Sequence, residues 1–210
     1  MSDMSSFLCQ DCIVDFKQDV MNMLIHTIEL KDIYTSGHSE QVARYCCSIG
    51  NALNLGLKDT ILLYQSAFMH DIGKILIDPK ILQKNDYLTK EEYESVKKHS
   101  TFGAQMLQNI NLFQEHAQIV KHHHERWDGT GYPDGLTNKK IPFFSRIIAI
   151  VDAFDAMTSM RNYKNKCTFD EALNELDRCS GTQFDPELVS ISVKVLSAFI
   201  NNNAFNKKIC

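Results

Sequence analysis

Long apolar runs are missing from this sequence. No uninterrupted hydrophobic stretch approaches the roughly 18 residues that a membrane-spanning helix needs. Residues 1–10 also lack the basic and apolar regions of a signal peptide. We therefore expect a cytoplasmic protein that does not enter a membrane.

A basic excess is missing as well. Lysine and arginine together number 22 against 26 aspartate and glutamate residues, which gives a formal net charge of -4. Proteins that bind a DNA or RNA polymer usually carry a positive surplus, because contacts with phosphates dominate their affinity. The composition therefore argues against a nucleic-acid polymer as the partner, although local positive charge can still matter.

The 7 cysteines lack the pattern of a disulfide framework, because their number is odd and no secretory signal precedes them. We expect reduced thiols. Cys9 and Cys12 have the spacing of half a zinc site, but the sequence contains no second pair of this kind. Cys46 and Cys47 fall in an apolar helical stretch and are expected to be small core residues.

Alternation of apolar and polar residues, the pattern of a strand, is also absent over any useful length. Apolar residues instead recur at three- and four-residue spacing, which indicates helices. With no repeat and no low-complexity linker, the 210 residues fit one all-α domain, a single bundle of about eight helices. The expected boundaries are a flexible segment at 1–15, the domain at 16–200 and a polar tail at 201–210.

Caps and breakers place several helix ends. Thr89 with Glu92 and Thr168 with Glu171 have the spacing of capping boxes. The first of these helices is expected to finish near residue 99, with a new helix beginning at residue 100. The helix before it is expected to run through residues 70–74. Proline 142 suits the first turn of a helix, and residues 185–186 mark the start of the last one.

The sequence is rich in histidine and aspartate at positions that do not suit a packed core. Residues 121–135 read KHHHERWDGTGYPDG, in which consecutive histidines end an apolar-periodic helix and a glycine-rich loop follows. Imidazole and carboxylate groups resist burial without partners, so this stretch favours a metal site beside a phosphate-binding loop. A single histidine, such as His26 or His116, does not by itself indicate a metal site, and neither does the His70-Asp71 pair alone.

Taken together, these residues resemble the HD-GYP domain, a subgroup of the HD metal-dependent phosphohydrolases. The matching segments are Tyr34-Thr35-x-Gly37-His38-Ser39, His70-Asp71-Ile72-Gly73-Lys74, His99, 123–135, Ser145-Arg146-Ile147, 152–158 and Phe184-Asp185-Pro186. The resemblance covers the chain from about residue 16 to 200. It implies a helical bundle of the HD-domain type.

The resemblance also implies two divalent metal ions in one pocket. The implied ligands are His38, His70, Asp71 and Asp152 for the first ion and Asp71, His99, His123 and His124 for the second. Asp71 would bridge ions that lie about 3.5 to 4 Å apart, and a hydroxide between them would attack a phosphodiester. The nitrogen-rich ligand set favours iron or manganese over magnesium, and ligand type does not choose between the first two.

The activity implied by the family is hydrolysis of cyclic di-GMP to linear pGpG, with further cleavage to GMP in some members and a preference for cyclic GMP-AMP in others. The implied substrate-binding residues are Lys74, Gly131, Tyr132, Pro133, Arg161 and Lys164. Lys74 would balance charge on the phosphoryl oxygens. The loop 131–133 would shape the pocket, while Arg161 and Lys164 would hold the second phosphate or a guanine. A solvated basic turn is the alternative interpretation of that last pair.

The sequence departs from its relatives at two positions. Members with three metals carry a glutamate four residues before the first histidine, where this chain has Tyr34. We therefore expect two ions, which puts the second cleavage to GMP in doubt. A proline commonly follows the arginine at position 161, where this chain has Asn162, so that loop is expected to be looser.

Three kinds of function remain to be separated. The first is an active phosphodiesterase, favoured because every implied ligand position is filled. The second is a catalytically silent cyclic di-GMP receptor or adaptor that docks proteins through the Gly-Tyr-Pro loop. The third, a nucleotide phosphohydrolase of the wider HD superfamily, leaves 123–135 without a purpose. Beyond a cyclic dinucleotide, the expected partners are proteins at that loop and a second copy of the chain in a homodimer.

Overall fold

The computed structural model describes residues 16, 19–27, 37–84, 86–159 and 167–206, with the backbone alone for 200–206. Its α-helices are α1 at 19–27, α2 His38–Ala52, α3 Leu57–Phe68, α4 Pro79–Leu82, α5 Lys90–Gln108, α6 Gln114–Lys121, α7 Phe143–Thr158, α8 Phe169–Arg178 and α9 Pro186–Asn206. Short 3-10 helices cover Ile72–Leu76, Asn111–Phe113 and Asn138–Lys140. Within these ranges the only β pairing is an isolated bridge between Ser180 and Phe184. The all-α prediction is confirmed.

Both predicted capping boxes are present. The Thr89 hydroxyl accepts the Glu92 N–H at 3.2 Å, and the Glu92 carboxylate accepts the Thr89 N–H at 2.7 Å. Thr168 and Glu171 make the same pair of bonds at the start of α8. These reciprocal bonds satisfy amide groups that have no partner inside the helix, which is why α5 and α8 begin where the sequence predicts.

The predicted break in α5 at residues 99–100 is wrong. The helix is continuous, and the Ser100 hydroxyl donates to the carbonyl of Lys97 at 3.2 Å instead of capping a new helix. The prediction that the preceding helix continues through residues 70–74 is also wrong. Helix α3 ends at Phe68, and the chain turns through His70 and Asp71 into a 3-10 helix. At the other end of the chain, α9 continues to Asn206, beyond the boundary predicted at residue 200.

The core surrounds α7, whose apolar residues are buried on more than one face of the helix. Ile147, Ile148, Ile150, Val151 and Phe154 have no solvent exposure. The buried cluster that they join includes residues from every described α-helix except the short α4. A helix that is apolar nearly all round lies at the centre of a bundle, so α7 holds Asp152 at a fixed depth inside the protein.

Cys46 is fully buried in α2, as predicted for a core thiol, while Cys47 is half-buried. Cys9, Cys12, Tyr34, Arg161 and Lys164 lie outside the described residues. None of the described helices has the length and apolarity to cross a bilayer.

The 3-10 helix after α3 packs against α5 at very short range, because Gly73 has no side chain. A Cβ atom on Gly73 would lie 1.8 Å from the carbonyl oxygen of His99 and 2.5 Å from the amide nitrogen of Gly103. Only glycine permits two backbones to approach this closely. The crossing brings Asp71 and Lys74, on either side of Gly73, next to His99.

Candidate metal centre

The seven implied ligands come from five parts of the chain and meet in one place. His38 opens α2, His70 and Asp71 form the turn after α3, His99 lies in α5, His123 and His124 follow α6, and Asp152 lies in α7. All of them except His70 line a cavity of about 450 Å³, and Nε2 of His70 lies 3.5 Å from Oδ2 of Asp71 in the cavity wall. The bundle therefore brings together side chains up to 114 residues apart.

The first group of donor atoms is formed by His38, His70 and Asp152. The Nε2 atoms of the two histidines lie 3.3 and 3.8 Å from Oδ1 of Asp152. The donor atoms of all three residues lie within 4.8 Å of one another. A set of this size, with nitrogen and carboxylate donors facing a common point, can hold one metal ion.

The second group consists of His99, His123 and His124, whose donor atoms also lie within 4.8 Å of one another. The Nε2 atoms of His99 and His123 are 3.4 Å apart. The rings of His123 and His124 pack with their centroids 4.0 Å apart. Three imidazoles at this separation form a second candidate site made of nitrogen donors.

Asp71 lies between the two groups. Its Oδ2 atom is 3.5 Å from Nε2 of His70 and 4.0 Å from Nε2 of His38, on the side of the first group. Its Oδ1 atom is 3.4 Å from Nε2 of His99, on the side of the second group. One carboxylate oxygen thus faces each set of imidazoles, which is the orientation that a bridging ligand would need.

The histidine rings are held by their Nδ1 atoms. His70, His99 and His123 bond to the carbonyls of Ala67, Val96 and Val120 at 2.7, 2.7 and 2.6 Å. A carbonyl oxygen only accepts, so each Nδ1 carries the proton and each Nε2 keeps a lone pair directed at the cavity.

The donor chemistry fits metal ions. Nε2 of His70 is buried and has no hydrogen-bond partner among the described residues. An unpaired buried nitrogen is costly, whereas a metal ion would satisfy it. The residues present are therefore compatible with metal binding at both groups.

Electrostatics keep the imidazoles of His123 and His124 neutral and the carboxylate of Asp71 ionised. Burial, followed by the adjacent His124, lowers the pKa of His123 well below its usual range, and burial lowers the pKa of His124 to about 3. Burial alone would raise the pKa of Asp71, but the Lys74 ammonium and the nearby imidazoles outweigh it and hold that pKa well below normal. Neutral imidazoles and ionised carboxylates are the forms that bind cations.

His38 is surrounded by carboxylates. Burial opposes its charge, yet hydrogen bonds to Asp152 and Asp155 raise the pKa of His38 to about 9. The bond from Nδ1 to Oδ2 of Asp155 is 2.7 Å long. Three buried or half-buried carboxylates, Asp71, Asp152 and Asp155, thus concentrate negative charge at this end of the cavity, which favours a cation there.

Comparison with known proteins gives the family. A family model described as HD domain matches residues 22–188. The chain belongs to the HD domain family. This HD domain is 39% identical over 183 residues to a cyclic di-GMP phosphodiesterase of Thermotoga maritima, covering 86% of this chain and 50% of that protein. It is 36% identical over 170 residues to 3'3'-cGAMP-specific phosphodiesterase 3 of Vibrio cholerae, covering 81% of this chain and 37% of that protein.

A solved structure agrees with the fold. The HDG"Y"P protein Bd1817 of Bdellovibrio bacteriovorus superposes with a TM-score of 0.64 at 24% identity, covering 80% of this chain and 53% of that one. The HD-type bundle expected from the resemblance is therefore confirmed. The chain spans about half the length of the Thermotoga relative.

The residues implied to bind substrate are placed as follows. Lys74 lines the cavity, and its Nζ atom donates to Oδ2 of Asp71 at 2.7 Å. Gly131 and Tyr132 also line it, with the ring of Tyr132 centred 4.9 Å from that of His124. Pro133 is not among the described residues that form the cavity wall.

The loop of the HD domain that carries these residues is organised by Glu125. Its two carboxylate oxygens accept the backbone N–H groups of Asp134 and Leu136 at 2.7 and 3.0 Å. A Cβ atom on Gly131 would lie 2.3 Å from the backbone nitrogen of Arg126. Glu125 therefore orients the loop, and the lack of a side chain at Gly131 permits the close approach to the backbone of Arg126.

Four residues that support the centre were not predicted to do so. Asp155 fixes His38, and it lies one helical turn after Asp152, a spacing from which its position on the same face could have been predicted. The Asp134 carboxylate accepts from Nε2 of His122 at 2.9 Å and from Nζ of Lys121 at 2.6 Å. These bonds connect the loop to the end of α6, and no local pattern predicts them.

Proposed function

We propose that this HD domain is a metal-dependent phosphodiesterase that hydrolyses cyclic di-GMP to linear pGpG. The observation that carries the proposal is the position of Asp71, with one carboxylate oxygen toward each group of imidazoles and Lys74 against the same carboxylate. A cavity of about 450 Å³ has the size of a small-molecule site. The Thermotoga relative, named a cyclic di-GMP phosphodiesterase, supports this choice of substrate.

The proposed cofactors are two divalent ions, with iron or manganese favoured by the nitrogen-rich donors. His38, His70 and Asp152 would hold one ion, and His99, His123 and His124 the other, with Asp71 shared. When bound, such ions supply a water activated as a nucleophile and neutralise charge on the phosphoryl group.

Side chains of the HD domain would stabilise charge and bind the substrate. The Lys74 ammonium, half-buried at the cavity wall, is placed to offset negative charge that develops on the phosphate oxygens. Neutral His123 and His124 keep the wall free of protons that would compete with a cation. Arg161 and Lys164 remain part of the proposal from the sequence alone, as do the cytoplasmic location, the homodimer and protein partners at the Gly-Tyr-Pro loop.

Cyclic GMP-AMP is the second candidate substrate. The Vibrio relative, named a 3'3'-cGAMP-specific phosphodiesterase, is 36% identical to this chain. The two substrates share the phosphodiester ring and differ in one base, so the same centre can act on either. Only the walls of the cavity away from Asp71 can distinguish them.

Product analysis tests the proposal. Protein loaded with iron or with manganese is incubated with each cyclic dinucleotide, and the products are separated by chromatography. We expect linear pGpG from cyclic di-GMP. No linear product with either metal and either substrate would refute the phosphodiesterase and favour the silent receptor.

The variant Asp71→Asn tests the shared carboxylate. We expect the loss of both ions by elemental analysis and a fall in turnover of more than about 100-fold, since even outer partners of metal ligands cost 10- to 100-fold. Asp59→Asn removes an exposed carboxylate outside the cavity wall and should leave both quantities unchanged. An Asp71→Asn protein with full metal content and turnover would contradict the role of this residue.

A further inference from the structure

The cavity wall beside His99 carries an aromatic side chain that neither the metal chemistry nor the fold requires. Tyr93 lies in α5, six residues before His99, and lines the cavity although half of its surface is open to solvent. Large aromatic side chains that serve only packing are usually buried much more deeply. An aromatic face left open at the mouth of a binding cavity is available to a ligand.

A second aromatic ring and a cation stand beside it. The Nζ atom of Lys97 lies 5.5 Å from the ring centroid of Tyr93 and 5.4 Å from that of Tyr132. Both distances are in the range of cation–π attraction. Nζ of Lys97 also forms an ion pair with Oε1 of Glu94 at 2.6 Å. The ammonium group thus lies within reach of both rings, and Tyr93 and Tyr132 line the same cavity.

The position along α5 suits a nucleotide. Six residues of helix rise about 9 Å between Tyr93 and His99, a span comparable to that from a phosphate to the base of its own nucleotide. Tyr132 continues the wall from the other side, because its ring is 4.9 Å from that of His124. A phosphate near His99 and His124 would therefore place its base at the tyrosine pair.

We propose that Tyr93, supported by Lys97 and Tyr132, is the stacking platform for one nucleobase of the substrate. This inference rests on the proposed function for its ligand, a cyclic dinucleotide. Stacking on an aromatic ring accepts any base, because every base has a π face. The platform therefore supplies affinity for a nucleotide, and the discrimination of guanine from adenine belongs to other contacts.

Steady-state kinetics test the platform. In the metal-loaded protein, Tyr93→Ala should raise the KM for cyclic di-GMP by about 5- to 150-fold, the range for loss of one stacked base, with kcat little changed because stacking is equal in ground and transition states. Tyr93→Phe keeps the ring and should retain the wild-type KM. Tyr87→Ala is the matched control, because Tyr87 is fully exposed outside the cavity wall.

Equilibrium binding separates this inference from the proposed reaction. Cyclic di-GMP is titrated calorimetrically into wild-type protein and the same variants in the presence of a chelator, where no turnover occurs. If Tyr93→Ala binds cyclic di-GMP more weakly than wild type, Tyr93→Phe and Tyr87→Ala do, the platform is supported. That support holds even if the metal-loaded wild-type protein does not hydrolyse cyclic di-GMP, a separate result that would refute the phosphodiesterase. Equal KM values and equal dissociation constants for wild type and Tyr93→Ala would overturn the platform while leaving the phosphodiesterase intact.

Discussion

The close crossing at Gly73 makes the metal centre sensitive to a single methyl group. In Gly73→Ala the new Cβ atom would lie 1.8 Å from the carbonyl oxygen of His99, whereas real contacts of this kind do not fall below 3.0 Å. Both atoms belong to backbone, so neither can rotate away. The 3-10 helix and α5 must separate by more than about 1 Å, a displacement that can cost on the order of 100-fold in activity.

The extra methyl group also overpacks the crossing. Overpacking typically lowers the free energy of unfolding by about 1–3 kcal/mol. Because the short contact is with backbone atoms, we expect the destabilisation of Gly73→Ala to lie near the upper end of this range. For a protein of this size about 3 kcal/mol corresponds to a fall in Tm of roughly 6–12 °C. The measurements are thermal unfolding by circular dichroism and metal content by elemental analysis.

Gly50→Ala is the matched control for this variant. Gly50 is also buried, but a Cβ atom there would meet side-chain atoms of Leu55 and Leu63 at 3.4 Å, an ordinary contact. Since alanine also favours the helical conformation of α2, Tm should be unchanged or higher. A Gly73→Ala protein with the Tm and metal content of Gly50→Ala would show that the crossing does not position the centre.

Two further variants test the supports of the centre. Asp155→Asn removes the charge beside Nδ1 of His38 and should weaken metal binding by about 10- to 100-fold. The measurement is competition with a chromophoric chelator, and an unchanged dissociation constant would show that Asp155 does not support metal binding through His38. Glu125→Gln replaces one acceptor of a loop N–H with a donor and should destabilise the folded protein by about 1–3 kcal/mol. Hydrogen exchange should then be faster at 129–136, and unaltered exchange there would show that Glu125 does not hold the loop.

Local chemistry made much of the fold predictable. The capping box at Thr89 fixes the start of α5 through bonds within four residues. The continuity of that helix through Ser100 was not predictable in the same way, because a serine can either cap a helix or bond back into it, and its burial decides between these alternatives. Tyr93 was missed for a related reason, since periodicity places an aromatic residue on a helix face without showing whether that face is covered.

The convergence of the candidate ligands was predictable only through the resemblance. Helical periodicity identifies the faces that carry His38 or Asp152, but nothing in the spacing of these residues along the chain shows that they meet. The approach depends on contacts between distant segments, such as Gly73 against α5. These contacts require glycine for steric reasons, and a glycine in a sequence does not show which backbone will lie against it.

The orientation of the imidazoles, in contrast, is largely a local property of the chain. His70, His99 and His123 each donate from Nδ1 to the carbonyl three residues earlier. Two of these rings follow the end of a helix, where carbonyls lack partners within the helix. The backbone that ends each helix therefore also selects the tautomer that leaves Nε2 free for a metal. His38 is at the start of its helix, where amide groups and not carbonyls are exposed, so it needs a carboxylate from another helix. This difference explains why His38 relies on Asp155, whereas carbonyls at the ends of α3 and α6 suffice for His70 and His123.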